Sequence, residues 1–122
     1  MIEPLEGKLP EVPLFFITWG GKREKKLLEE LNLIEQHGLS PEVYWIDAGW
    51  FEHEESANEH VGKWATRVGD WKFYDQLYPN ELREISGKVH KLGAKFLLWL
   101  ETDRAYETAE VVKEHPEYFL PG

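Results

Sequence analysis

A chain of 122 residues with 42% hydrophobic and 14% aromatic content is long enough for one domain with one core, and too apolar to be disordered. Fourteen Lys and Arg against 23 Asp and Glu give a net charge of -9, which argues against a nucleic-acid partner because phosphate binding needs a basic surface. There is no Cys, which excludes disulfides and thiolate metal sites, and no apolar run is long enough to span a membrane.

Residues 1–13 contain Pro4, Pro10 and Pro13 and read as an irregular lead-in to a domain over residues 14–122. They lack the basic start and apolar run of a signal peptide, so the expected location is cytoplasmic. Leu14 to Trp19 is a short apolar run ended by Gly20-Gly21 and reads as a strand. A helix follows over Lys22 to His37, because Leu27, Leu31 and Ile34 recur at helical spacing with Leu28 beside them, and Gly38 supplies a stop. Pro41 leads into a second strand, Val43 to Asp47. From Gly49 to Pro79 the pattern is lost, and so long a connection in a compact domain is usually functional or mobile. After Asn80, read as an N-cap, Leu82, Ile85, Val89 and Leu92 mark a second helix stopped by Gly93. Lys95 to Leu100 is a third strand that ends in Glu101. Thr108 caps a short last helix, broken at Pro116.

Near-continuous apolar strands alternating with helices predict an α/β domain with a parallel sheet. In such a sheet all strand C-termini lie on one side, and ligands bind there. Those ends carry Trp19, Asp47 and Glu101, and the long loop with Trp50, Asp70 and Trp71 leaves from the same side. The opposite strand ends meet only short turns. A carboxylate closing an apolar strand, as in Val43-Tyr44-Trp45-Ile46-Asp47, is costly unless a pocket, partner or ligand uses it. The aromatics beside it suggest a sugar. This asymmetry fits a β/α barrel and an open α/β sheet equally.

Several segments follow one another in a known order: Trp45-Ile46-Asp47-Ala48-Gly49-Trp50, Val68-Gly69-Asp70-Trp71, Tyr78-Pro79, Val89 to Glu101, and Glu114-His115-Pro116-Glu117-Tyr118. Order and spacing resemble the catalytic barrel of the α-galactosidases of glycoside hydrolase family 36, the melibiase type, over residues 14–120. The resemblance implies a partial (β/α)8 TIM barrel of about three βα units. It implies that Trp19 and Trp71 flank a galactose subsite, that Asp47 accepts hydrogen bonds from sugar hydroxyls, and that Arg104 lies near the pocket. Ala48 stands where the common motif has a second Asp, and Glu101-Thr102-Asp103-Arg104 lacks the usual Pro. A full barrel takes about 250 residues. The family's nucleophilic Asp belongs to strand four and its acid/base Asp to strand six, so the resemblance leaves both outside this sequence and no catalytic residue within it.

Each assignment has a plainer counterpart. Asp47 can instead cap the loop that follows it. Trp45 and Trp99, inside strands, read as core, whereas Trp19, Trp50 and Trp71 divide between loop packing and sugar stacking. Glu101 can form an ion pair with Arg104 or Lys95. Retaining glycosidases need two carboxylates about 5–5.5 Å apart. Adjacent strands about 4.8 Å apart make an Asp47–Glu101 pair possible, but the resemblance gives these residues binding roles. His53 and His60 lie among Glu52, Glu54, Glu55 and Glu59 without the spacing of a zinc helix, so a solvated acidic loop and no metal is the reading. No Gly-rich phosphate loop occurs, and no cofactor is implied.

Three barrel strands cannot close. The sheet would keep two unpaired edges and an apolar inner face open to water, which predicts a homo-oligomer. The expected partners are then a galactoside or other sugar, weakly bound, and further copies of the chain, with no nucleic acid and no membrane. A non-catalytic carbohydrate-binding or self-assembling module is the alternative to a piece of a hydrolase.

Overall fold

A computed structural model describes residues 12–18, 22–52 and 64–120. Three strands, β1 (Phe15–Ile17), β2 (Val43–Ile46) and β3 (Lys95–Leu98), form one parallel sheet in the order β1-β2-β3. Phe15 lies beside Val43, and Val43 beside Lys95. Helix α1 (Glu24–Gln36) comes between β1 and β2, α2 (Arg83–Lys91) precedes β3, and the short α3 (Glu110–Glu114) follows it. Strand order follows chain order without a reversal, as in three consecutive βα units of a β/α barrel and equally in one half of a doubly wound sheet.

The helices cover one face of the sheet. Leu27, Leu31 and Ile34 of α1 and Ile85 and Val89 of α2 are buried together with Tyr44 and Ile46 of β2. Fully burying each aliphatic side chain contributes about 1.5–3 kcal/mol, so this stripe dominates the stability of the layer. The other face, which carries Phe15, Ile17, Val43, Trp45 and Leu97 by register, has no covering layer among the described residues. Phe15 is 45% exposed, Ile17 42% and Leu97 40%. Phe15 and Trp45 meet edge to face on it at 6.1 Å. The open inner face that the sequence predicts is present.

Strand ends are shorter than the apolar runs. Leu14 and Thr18 stay bonded to the β2 segment, through Val43 N–H to Leu14 O and Thr18 N–H to Trp45 O, but ladder geometry holds only for Phe15–Ile17. β3 ends at Leu98 instead of Leu100, with Trp99 N–H still donating to Ile46 O at 2.8 Å. Trp45 is half-buried rather than core, because it points to the uncovered face.

Two caps differ from the sequence reading. Asn80 is not the N-cap of α2. Glu81 and Leu82 both turn left-handed, at φ 50° and 65°, and delay the helix to Arg83, so that buried Leu82 occupies the cap. Asn80 instead points its Nδ2 at Glu24 Oε2, 3.4 Å away. Thr108 does not cap α3 either: Ala109 holds that position, and the side chain that bonds the first helical N–H comes from Asp70.

Candidate functional site

β2 delivers Asp47 to the C-terminal edge of the sheet. Asp47 N–H donates to Thr18 Oγ1 at 3.2 Å, which ties the ends of the first two strands together. Its carboxylate Oδ1 accepts the Ala48 N–H at 2.9 Å, a local bond of the loop-capping kind. Oδ2 has no hydrogen-bond partner among the described residues, so one acceptor of a half-buried carboxylate is available at the strand end.

Gly49, at φ 98°, turns the chain and Trp50 drops into the core at 3% exposure. Its indole N–H donates to Trp99 O at 2.9 Å, bridging the ends of β2 and β3. The Trp50 ring stacks on Trp71 at 6.0 Å and 21° between planes. Trp50 thus packs and has little surface to offer a ligand. Trp71, Trp64 and Trp99 are half-buried and form the outer part of the same cluster. Trp71 meets Trp99 edge to face at 6.0 Å, and Trp64 meets Trp99 at 5.3 Å. Offset and edge-to-face contacts of this kind hold aromatic rings firmly beyond their buried area.

Glu101 and Arg104 form a two-pronged ion pair. Arg104 Nη2 donates to Glu101 Oε2 at 2.9 Å, and Nε bonds the other oxygen, Oε1. This hydrogen bond raises the Arg104 pKa above its ordinary value. The arginine also lies 6.0 Å above the Trp64 ring. Both Glu101 oxygens are engaged, so the carboxylate serves as an anchor for Arg104 rather than as the free partner of Asp47. Asp70 lies on the loop side of the cluster, where its Oδ1 accepts the Glu110 N–H at 2.6 Å.

Asp47, Trp50, Trp71 and the Glu101–Arg104 pair thus lie at or just beyond the C-terminal ends of β2 and β3. Trp19, Gly20-Gly21, His53 and His60 lie outside the described residues. Sequence reasoning missed Trp99 and Trp64 as part of the aromatic cluster. Trp99 stands one residue past the end of β3 and stacks on buried Phe51, so strand alternation does not place it. Trp64 lies in a stretch without periodicity.

The Melibiase family model matches residues 13–121. Alpha-galactosidase Mel36A of Lactobacillus acidophilus is 34% identical over 86% of this chain and 13% of its own length. Alpha-galactosidase 1 of Pediococcus pentosaceus is 28% identical over 96% of this chain and 16% of its own. Among solved structures, the GH36 alpha-galactosidase AgaA of Geobacillus stearothermophilus superposes with a TM-score of 0.69 at 26% identity, over 92% of this chain and 15% of that one. The alpha-galactosidase of Lactobacillus brevis gives 0.70 at 25% identity, over 93% and 15%. The chain spans about a seventh of the length of these relatives. With three parallel strands in chain order and an acid at the end of the second, it belongs to the Melibiase family and matches one part of a GH36 alpha-galactosidase, so its fold is part of a β/α barrel.

Proposed function

We propose that this chain provides the sugar-holding edge of the first three βα units of an α-galactosidase barrel and has no hydrolytic activity by itself. Asp47 accepts a hydrogen bond from a sugar hydroxyl through Oδ2, and Trp71 and Trp99 supply apolar surface for the sugar ring. Trp19 joins them on the strength of the family resemblance. Arg104, held by Glu101, sets the charge at the rim. The observation that carries this reading is the half-buried Asp47 carboxylate, with one oxygen unbonded among the described residues, at the C-terminal strand edge.

The test is a titration with ~50 mM galactose followed by amide NMR, a range that detects millimolar binding of about -4 kcal/mol. Shifts confined to the residues around Asp47, and abolished by Asp47→Asn, are expected. Unchanged spectra would remove the binding role. Release of nitrophenol from an α-galactoside by the purified chain, lost in Asp47→Asn, would overturn the claim of inactivity.

The uncovered face supports a second element of the reading, that copies of the chain associate through it. Phe15, Ile17 and Leu97 give it an apolar surface that a monomer leaves in water. A compact monomer by light scattering at micromolar concentration would refute association.

A further inference from the structure

The turn that carries Trp71 is fastened from both sides, and one of these fastenings is a carboxylate. Toward β2, Glu52 N–H donates to Lys72 O at 2.7 Å and Tyr74 N–H to Trp50 O at 3.3 Å, with Phe51 bridged to Phe73. Toward α3, Tyr106 N–H donates to Val68 O at 2.8 Å. Asp70 Oδ1 takes the Glu110 N–H at 2.6 Å, and Lys72 Nζ lies 2.8 Å from Glu110 Oε2. Between these bonds Gly69 is pressed against the 105–109 segment. A Cβ at Gly69 would lie 2.9 Å from Ala105 Cβ and 3.2 Å from Ala109 Cβ, and its φ of 118° is open only to glycine without strain. Two residues on, Trp71 has φ 51°, a conformation a bulky residue keeps only where its surroundings enforce it.

We propose that Asp70 and Gly69 are positioning residues: they lock the Val68–Trp71 turn onto the start of α3 and thereby hold the Trp71 ring against Trp50. In this assignment Asp70 does not bind sugar. Its carboxylate is an N-cap supplied from forty residues upstream, and a charge-assisted bond to a helix N-terminus is among the stronger hydrogen bonds available. Gly69 acts by size, since only a residue without a side chain lets the turn close on Ala105 and Ala109. The aromatic wall is then set by the contact of the turn with the start of α3 as well as by its bonds to the sheet end.

The test needs no sugar, so it fails or succeeds separately from the proposed function. Glu110→Pro deletes the N–H that Asp70 accepts and leaves Asp70 untouched. Proline is tolerated at the first helical position, and Ala109, at φ -60° and ψ 146°, already has the extended backbone required before a proline. Near-UV circular dichroism reads the Trp50–Trp71 pair, and amide exchange reads the Glu110 N–H in Asp70 variants. Asp70→Ala is expected to weaken the aromatic signal and to speed Glu110 exchange about tenfold, the loss of one charge-assisted hydrogen bond. Asp70→Asn keeps an acceptor oxygen and is expected to restore most of both. Glu110→Pro is expected to reproduce the aromatic change of Asp70→Ala. An unaltered aromatic signal in whichever of Asp70→Ala and Glu110→Pro stays folded would overturn the proposal. So would an Asp70→Asn protein as impaired as Asp70→Ala.

Discussion

The two faces of the sheet are built from similar residues and are held in different ways. On one face Tyr44 and Ile46 disappear under α1 and α2, within a cluster that includes Leu27, Leu31, Ile85 and Val89. On the other, Phe15, Ile17, Trp45 and Leu97 are only partly screened. The covered face supplies this chain's own stability. The uncovered face carries residues whose burial needs material beyond these three strands. The same side chain can therefore be a structural requirement on one face and nearly neutral on the other.

The sharpest way to break this comparison is a pair of truncations. Ile85→Ala, in the covered cluster, is expected to cost about 3 kcal/mol in urea denaturation, whereas Leu97→Ala on the open face should cost below about 1 kcal/mol in the monomer. Equal costs would mean that the open face is covered in solution. Next in size, Ile17→Lys should weaken self-association at least about tenfold by sedimentation, since it buries an unpaired charge in the interface. Added salt should strengthen association of the unmodified chain by screening its net charge of -9.

Alkali offers a third probe. Burial pushes the phenol pKa of Tyr44 above its ordinary 10, with the Glu30 charge and Tyr78 adding to it. Burial and the Glu24 charge do the same for Tyr78. A folded-state pKa raised in this way leaves stability intact below the unfolded value and removes it as pH climbs through the folded one. Absorbance at alkaline pH should show these two tyrosines ionising only as the chain unfolds. The smallest effect concerns the fastening of the turn to α3. The Lys72 hydrogen bond lowers the Glu110 pKa below its ordinary 4.5, and the same bond raises Lys72 above 10.5. Its contribution is therefore lost as pH falls from 4.5 through the lowered Glu110 value, and again as pH rises through the raised Lys72 value. Both groups are exposed, so only a slight change in the aromatic signal is expected at either end.

Local pattern carried the strands and the first two helices, because each has its own periodicity: Leu27, Leu31 and Ile34 for α1, the Val43–Ile46 run for β2. Both helices stop at the anticipated glycines, Gly38 and Gly93, which turn left-handed at φ 62° and 80°. What local pattern could not carry was pairing over distance. Three parallel strands in chain order fit barrel and open winding alike, so that distinction rests on the likeness to the GH36 structures. Asp70 caps a helix forty residues later, and Gly69 is shaped by Ala105 and Ala109, so neither role leaves a trace in its own neighbourhood. Asn80 failed as a cap for the opposite reason: its own signal was strong, but the burial of Leu82 moved the helix start. Asp47 was legible in place, as an acid where an apolar strand stops.

The strand order also bears on how the chain is made. Phe15 and its partner Val43 are separated by 28 residues, and Val43 and Lys95 by 52. Doubling a loop adds only about 0.6 kcal/mol of closure entropy, so the longer connection is a minor burden. Timing differs more than cost. With N-terminal segments emerging first during synthesis, β1 can zip onto β2, under α1, before β3 has left the ribosome. Each later strand then finds an edge already waiting, and growth of the sheet proceeds in the direction of translation.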